Sequence, residues 1–399
     1  MSNTQKNVPE LRFPGFEDEW EEKTFGEFTK TNQGLQIAIN DRETEYKEGL
    51  YFYITNEFLK PNSKTKYFIK NPPKSVIANE EDILMTRTGN TGKVITGVFG
   101  AFHNNFFKIS FDKNLYDRLF LFELLKSSKI NNRILSLAGT STIPDLNHSD
   151  FYSIRTFLPN KNEQQKIGDF FSKLDKQIEL EEKKLKLLEQ QKKGYMQKIF
   201  SQELRFKDEN GNDYPEWILK KIEDVAKVNK GFTPSTKNNK YWNEENQNWL
   251  SIAGMTQKYL YKGNKGITEE GASNHFKVKE NTLIMSFKLT LGKLAIVKEP
   301  LFTNEAICHF EWKIDDVDTE YMYYYLNSIN ISTFGAQAVK GITLNNDSIN
   351  SIIVKLPTIE EQRKISSTLI KIEQLIDNQS NKVALLQKRK QGFLQKVFI

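Results

Sequence analysis

A chain of 399 residues with 38% hydrophobic and 12% aromatic side chains carries enough apolar material for two or three domain cores, which excludes wholesale disorder. The net charge of +6 favours a polyanionic partner only mildly. The single cysteine, Cys308, excludes a disulfide framework and a thiolate zinc cluster within the chain, and the four histidines fall at no metal-ligand spacing. No apolar stretch approaches the ~20 residues of a membrane span. The opening "MSNTQKNVPELRF" lacks the apolar core of a secretory signal, so the expectation is a soluble cytoplasmic protein with no bound metal and no membrane contact.

Along the chain, a short tail (1–19) precedes a globular segment (20–157) of mixed α/β character. Strand-like runs there are "LYFYIT" (Leu50 to Thr55), "KVITGVF" (Lys93 to Phe99) and "FFKISF" (Phe106 to Phe111); a helical patch covers Asp117 to Leu137. A long helix follows (158–200), then a linker (201–216). A second globular segment (217–355) holds "NWLSIAG" (Asn248 to Gly254), "KLAIVK" (Lys293 to Lys298) and a helical patch over Thr319 to Ile329. A second long helix (356–399) ends the sequence.

The two halves repeat one plan. "LPNKNEQQKI" from Leu158 meets "LPTIEEQRKI" from Leu356 at an offset of 198, without a gap as far as Phe200 and Phe398. "PELRF" ending at Phe13 meets "QELRF" ending at Phe206, and Trp20 meets Trp217. "TKTNQG" ending at Gly34 meets "AKVNKG" ending at Gly231. "DILMTRTGNTGK" ending at Lys93 meets "NTLIMSFKLTLGK" ending at Lys293, and Asn104 meets Asn304. A period near 200 residues is a domain duplication. The helices stay alike while the globular segments share only scattered anchors, as expected of one scaffold carrying two recognition surfaces.

Both helices read as heptad seams. In the first the seam is Ile167, Phe171, Leu174, Ile178, Glu181, Leu185, Leu188, Lys192, Tyr195 and Ile199. In the second it is Ile365, Leu369, Ile372, Ile376, Gln379, Val383, Leu386, Lys390, Phe393 and Val397. Each starts after a Leu-Pro pair, and about forty residues give a rod of roughly 60 Å. A narrow apolar seam flanked by charge needs a partner helix. The other copy supplies it if a pseudo-two-fold axis makes the two antiparallel. The alternative is that each helix folds back on its own domain. The polar seam residues are expected to fix register.

Chemical motifs are few. "NPPK" (Asn71 to Lys74) has Lys74 where an adenine methyltransferase loop carries an aromatic, and no glycine-rich cofactor loop accompanies it. "TGNTGK" ending at Lys93 is too short for a phosphate-binding loop, and a turn glycine beside a phosphate-contacting lysine accounts for it better. No nucleophile–base arrangement stands out, so no catalytic residue is assigned. Two acid-free stretches are rich in lysine. One holds Lys60, Lys64, Lys66, Lys70 and Lys74; the other holds Lys227, Lys230, Lys237 and Lys240. Solvated loops explain either alone, but one in each copy points to a shared nucleic-acid role.

The duplicated plan, "LP…EQ.KI" opening each helix and "G(Y/F).QK(I/V)F" closing it, with "PELRFPGFEDEW" and "GNDYPEW" ahead of the two copies, resembles the specificity subunits of Type I restriction–modification systems. The resemblance covers nearly the whole chain. It implies two mixed α/β target-recognition domains joined by two long antiparallel coiled-coil helices. Each domain would read one half of a gapped double-stranded DNA site. The helices would set the spacer and dock two methyltransferase subunits that use S-adenosylmethionine. Two endonuclease/translocase subunits using ATP and Mg2+ would complete the assembly, and this chain would bind no cofactor itself. Candidate DNA contacts near the matched anchors are Lys30, Gln33, Arg87, Thr88, Asn90, Lys93, Thr140 and Ser141 in the first domain. In the second they are Lys230, Thr233, Ser235, Lys237, Lys288, Thr290, Lys293 and Lys340. Arg87, whose counterpart is Phe287, is the leading candidate for a guanine contact. A stand-alone coiled-coil DNA-binding regulator, a protein-only adaptor and the specificity chain of a multi-subunit Type II-like system are the competing readings.

Overall fold

The computed structural model describes residues 7–60, 63–139, 143–288, 290–338 and 341–399. They form two compact units that do not follow the repeat boundaries: residues 1–183 with 380–399, and residues 184–379. Each long helix, Lys161–Phe200 and Ile359–Val397, is therefore divided between the two units.

In the first unit, strand Thr29–Gln33 pairs with Phe106–Phe111, which pairs with Ile83–Thr86, which pairs with Val94–Ile95, all antiparallel. A second sheet joins Phe68–Lys70, Leu50–Ile54, Gly100–Phe102 and Ile77–Ala78, with a parallel pair in the middle. The "FFKISF" run is a strand throughout. In "KVITGVF" only Val94–Ile95 pairs as a strand, since Gly97 takes φ +74 and turns the chain. The patch Asp117 to Leu137 is two helices, Arg118–Lys126 and Ser128–Ala138. Ser127 (φ −60, ψ 145) ends the first by donating to Leu124 O at 2.6 Å and caps the second through Ile130 N.

In the second unit, Ala226–Lys230, Ile307–Trp312, Leu283–Ser286 and Leu294–Val297 repeat that antiparallel order, and Tyr259–Leu260 adds a parallel edge. The run "NWLSIAG" yields only Trp249–Leu250 as strand before a 3-10 turn at Ile252–Gly254. Helix Thr319–Ser328 packs beneath this sheet, and its Tyr321 and Met322 are fully buried.

The repeated motifs close each unit. Asn160 caps the first long helix by accepting from Glu163 N at 3.0 Å. Gln164 then spans from Pro159 O (2.8 Å) to Asp117 N (3.0 Å) and fixes the start of helix Arg118–Lys126. Gln362 does the same between Pro357 O (2.9 Å) and Asp318 N (2.9 Å). The fully buried Glu163 takes Arg12 in a two-pronged pair (2.8 and 2.7 Å), and Glu361 takes Arg205 (3.3 and 2.8 Å). The tail and linker thus clamp the helix starts.

Each core is completed by the first turns of one long helix and the last turn of the other. Ile167 and Phe171 lie with Val397 and Phe398; Ile365 and Leu369 lie with Ile199 and Phe200. Phe398 packs on Phe120 and Phe171, with ring centroids 5.4 and 6.0 Å apart, and Phe200 packs on Tyr321 and Tyr325 at 6.0 and 5.6 Å. Within the first unit Lys390 meets Asp175 and Lys382 meets Glu181, which makes the helix segments antiparallel. Lys192–Glu373 plays the same part in the second. Ile178, Val383 and Leu386 are buried and Leu174, Leu185, Leu188, Ile372 and Ile376 half-buried, as the heptads require. Tyr195 departs from the seam. It is 46% exposed, and Met196 packs on the core in its place, because a helix of 3.6 residues per turn drifts from a strict seven-residue repeat.

Candidate nucleic-acid interface

The central sheet of each unit ends in the same loop. In the first, Thr86 N bonds Lys93 O (2.9 Å), Gly92 N bonds Thr86 O (2.8 Å), and the Thr86 hydroxyl donates to Asn90 O. In the second, Ser286 N bonds Lys293 O (2.9 Å), Gly292 N bonds Ser286 O (2.9 Å), and the Ser286 hydroxyl donates to Thr290 O. Gly92 and Gly292 sit at φ +85 and +72, so the matched glycine is a turn requirement. Gly34 and Gly231 meet a different demand. A Cβ there would lie 2.1 Å from Phe102 O and 2.0 Å from Thr303 O, so the chain can pass only without a side chain.

These loops bring several predicted contacts together. Arg87 N bonds Asn105 O (2.7 Å) and Gln33 Nε2 donates to Asn104 O (3.2 Å), so Gln33, Arg87, Thr88, Asn90 and Lys93 gather at one sheet end. Lys30 stands apart, opposite Ser110, three residues along its strand. The Arg87 guanidinium is already held. Its Nη2 donates to Asp145 (2.7 Å), its Nε to Leu146 O (3.1 Å), and its plane lies 5.5 Å from the Phe107 ring. Thr88 shares Asp145. Among the described residues Nη1 carries no hydrogen bond, and Nη2 keeps a second N–H beyond the one given to Asp145. His148 joins this edge, 2.6 Å from the Thr31 hydroxyl and 4.5 Å from the Phe107 ring; burial, helped by Arg87, pulls its pKa below the usual imidazole value. Asp145 and His148 carry no sequence signal because only the tertiary fold brings them beside the loop.

In the second unit Phe287 stands where Arg87 stands in the first, and it is fully buried. Lys230 and Lys288 lie over its ring, 4.7 and 5.6 Å from the centroid. Thr233 accepts from Asn304 (2.8 Å) and so supports the chain. Ser235 accepts from Trp242 Nε1 through its carbonyl, and Ser235, Lys237 and Thr290 are exposed. Lys293 is half-buried. Thr140, Ser141 and Lys340 lie outside the described residues. Of the lysine-rich stretch in the first unit, Lys60 is taken by Glu57 at 2.6 Å. Among the described residues no cluster of His, Cys, Asp or Glu could hold a metal, and no helix is long and apolar enough to cross a membrane.

Two differently loaded loop edges on one repeated frame define a class: a duplicated protein with one body plan and two chemically different loop surfaces. The family follows from comparison. Residues 17–190 and 214–388 each match the Type I restriction modification DNA specificity domain, and the chain belongs to that family. It is 25% identical over 412 residues to the Type I restriction enzyme MjaVIII specificity subunit of Methanocaldococcus jannaschii, covering 98% of this chain and 93% of that one. The MjaIX specificity subunit of the same organism is 29% identical over 198 residues, covering 47% and 45%. Among solved structures, the Type I S subunit from M. genitalium superposes with TM-score 0.60 at 16% identity, covering 98% of this chain and 99% of that chain. A chain from a study of the assembly and conformational transition of the type I R-M system gives 0.58 at 16%, covering 97% and 98%. The protein is a DNA specificity subunit of a Type I restriction–modification system, and the fold is the S-subunit fold. The regulator and adaptor readings find no support.

Proposed function

We propose that each globular domain reads one half of a gapped, asymmetric double-stranded DNA site, and that the paired helix segments set the spacer and seat two methyltransferase subunits. The observation that carries this is the matched loop at the sheet end. Its backbone is the same in both units, while its side chains differ in kind, Arg87 against Phe287. One frame with two chemistries is what an asymmetric site demands. Lysines and threonines at the loops hold phosphates, and Gln33, Asn90 and Arg87 read base edges. The chain supplies position and sequence choice. Methyl transfer from S-adenosylmethionine belongs to the methyltransferase partner, and ATP and Mg2+ to two endonuclease/translocase subunits, all acting on DNA in the cytoplasm.

The test is a methylation map of a methylation-free host expressing this chain with its methyltransferase, against a host lacking this chain. One gapped motif bearing N6-methyladenine only when the chain is present is the expected result. Unmodified DNA with a methyltransferase proven active on another specificity subunit would overturn the reading. In the same assay four residues inserted between Glu179 and Lys193 add about 6 Å of helix and should lengthen the spacer by about two base pairs, leaving both half-sites unchanged. Arg87→Ala should relax one base position, worth about 1–3 kcal/mol. An unaltered motif in both variants would remove the ruler and the Arg87 contact from the account.

A further inference from the structure

A loop in the second domain presents a feature that the first domain lacks. Asn274 (φ +65) opens it, and His275, Phe276 and Lys277 follow before Val278 is buried again. In the first domain Asn71 (φ +49) opens the corresponding loop, which continues Pro72, Pro73, Lys74, Ser75 to a buried Val76. The first copy fills the tip with two prolines, the second with two aromatics. They behave differently. His275 lies flat on the Phe232 ring, with centroids 3.5 Å apart and planes within 3°. Phe276 is 94% exposed.

A single exposed apolar side chain is ordinary on a protein surface. This one has a firm mount and a charged setting. Val278 N bonds Leu301 O (2.8 Å) on one side, and His275 N bonds Ala272 O (3.0 Å) on the other. A Cβ on Gly271 would lie 2.5 Å from Tyr241 O, so the loop base is tightly packed. The tip forms one wall of a cleft of about 470 Å³, whose other wall is strand Ala226–Lys230. Lys227, Lys230, Lys277 and Lys279 line it; Lys230 lies over the Phe287 ring (4.7 Å) and Lys277 over the Phe302 ring (5.8 Å), and no salt bridge among the described residues neutralises any of the four. The one lining carboxylate, Glu311, accepts from Asn229 at 3.2 Å. An aromatic ring held in water among unneutralised lysines suits a polyanion with flat apolar rings inside it.

We infer that Phe276 is an aromatic wedge, inserted into the base stack of the half-site read by the second domain, with the surrounding lysines on the flanking phosphates. This rests on the DNA-reading role proposed above. Apolar side chains inserted at a base step unstack it and kink the duplex, and the energetic demand of that kink depends on the sequence. The wedge therefore adds specificity at a step that no polar side chain need touch. The first domain, with Pro72 and Pro73 at that place, reads its half-site without a ring.

The experiment uses the full chain assembled with its methyltransferase and a duplex carrying the mapped site. Phe276→Ala should lower specific affinity roughly 5- to 150-fold, the contribution of one ring stacked on one base, with the salt slope unchanged. Selectivity should relax in the second half-site only. Lys277→Ala should instead flatten the salt slope by about one and leave sequence preference alone. Phe276→Trp should keep affinity, and the emission of the introduced tryptophan should be quenched on binding. Full affinity and selectivity in Phe276→Ala would overturn the wedge, as would emission in Phe276→Trp that stays solvent-like in the complex. So would loss of the methyltransferase from Phe276→Ala with DNA binding intact, which would make Phe276 a protein contact. A parent chain that yields no gapped motif would sink the DNA-reading role itself, a result separate from any of these.

Discussion

The helix seams of the two units bury the same kind of cluster by different means. In the first unit Lys390 lies between Asp175 (2.6 Å) and Glu123 (3.0 Å), and Lys126 reaches Glu123 at 3.1 Å. In the second, Lys192 holds Glu373 at 2.6 Å, Lys258 bridges Glu373 (3.1 Å) and Glu320 (2.8 Å), and the Tyr324 hydroxyl donates to Glu373 at 2.5 Å. Lys390 and Lys192 are repeat equivalents, and so are Asp175 and Glu373. Everything else in the clusters has changed place. Yet each cluster contains two lysines and two carboxylates. A half-buried charge left uncompensated is too costly to persist, so neutrality was kept while the residues supplying it moved. The helices dictate one ion pair; each globular domain completes the balance in its own way.

That comparison is sharpest when the pair is broken. Lys390 is only 10% exposed beside a Glu123 that is 3% exposed, so Lys390→Met should destabilise the first unit by about 3–5 kcal/mol. Lys192 is 28% exposed and Lys258 stays beside Glu373, so Lys192→Met should cost about 1–2 kcal/mol. Urea unfolding of both variants decides it. Equal losses would mean the two clusters are energetically one design.

A second asymmetry lies at the clamps. Trp217 Nε1 donates to Glu361 at 3.0 Å, whereas Trp20 Nε1 is buried without a hydrogen-bond partner among the described residues. Trp217→Phe and Trp20→Phe remove the same atoms. The first should cost about 1.5–3 kcal/mol more, the worth of a hydrogen bond to a charged group. Matching losses in thermal melts would put the whole effect down to packing.

Acid should act on the second cluster through Glu373. Burial pushes the Glu373 carboxyl up, but the hydrogen bonds from Lys192 and Tyr324 and the charge of Lys258 outweigh it and hold its pKa below the ordinary 4.5. A depressed carboxyl contributes stability that is fully present above its unfolded pKa and is lost as pH falls through the folded one. The second unit should therefore lose stability from about pH 4.5 downward, and Glu373→Gln should flatten that slope. An identical acid limb in the variant would show that other groups govern it.

The smallest effect concerns the glycine of each closing helix motif. Nothing lies within 4 Å of a Cβ built on Gly194 or Gly392. Alanine at either place should raise stability by about 0.5–1 kcal/mol, since glycine is a poor helix former. Calorimetry checks the gain. Destabilisation would mean that the helices bend there.

Much of this is legible in the sequence. The heptads, the Leu-Pro starts and the matched "EQ" pairs specify two long helices, because period and capping are local properties of the chain. The duplication was legible too, since it needs only the sequence laid against itself. Tyr195 was misplaced because a strict heptad runs ahead of a 3.6-residue helix over several turns. "KVITGVF" and "NWLSIAG" promised longer strands than they form, because burial can make either strand or irregular chain apolar. Of the candidate contacts, Arg87, Thr88, Asn90 and Lys93 could be foreseen to cluster, being neighbours in one loop. That Gln33 joins them, that Asp145 already holds Arg87, and that Phe276 stands alone among lysines are consequences of which strands pair and which loops meet.

The sequence by itself determined the duplicated plan, the helices and the family. Only the tertiary structure decided that each core is finished by the last turn of the other copy's helix. The physical reason is that a helix displays its own periodicity but not its partner. Phe200 and Phe398 look alike in the sequence, and it takes the packed cores to place Phe398 on Phe120 and Phe200 on Tyr321.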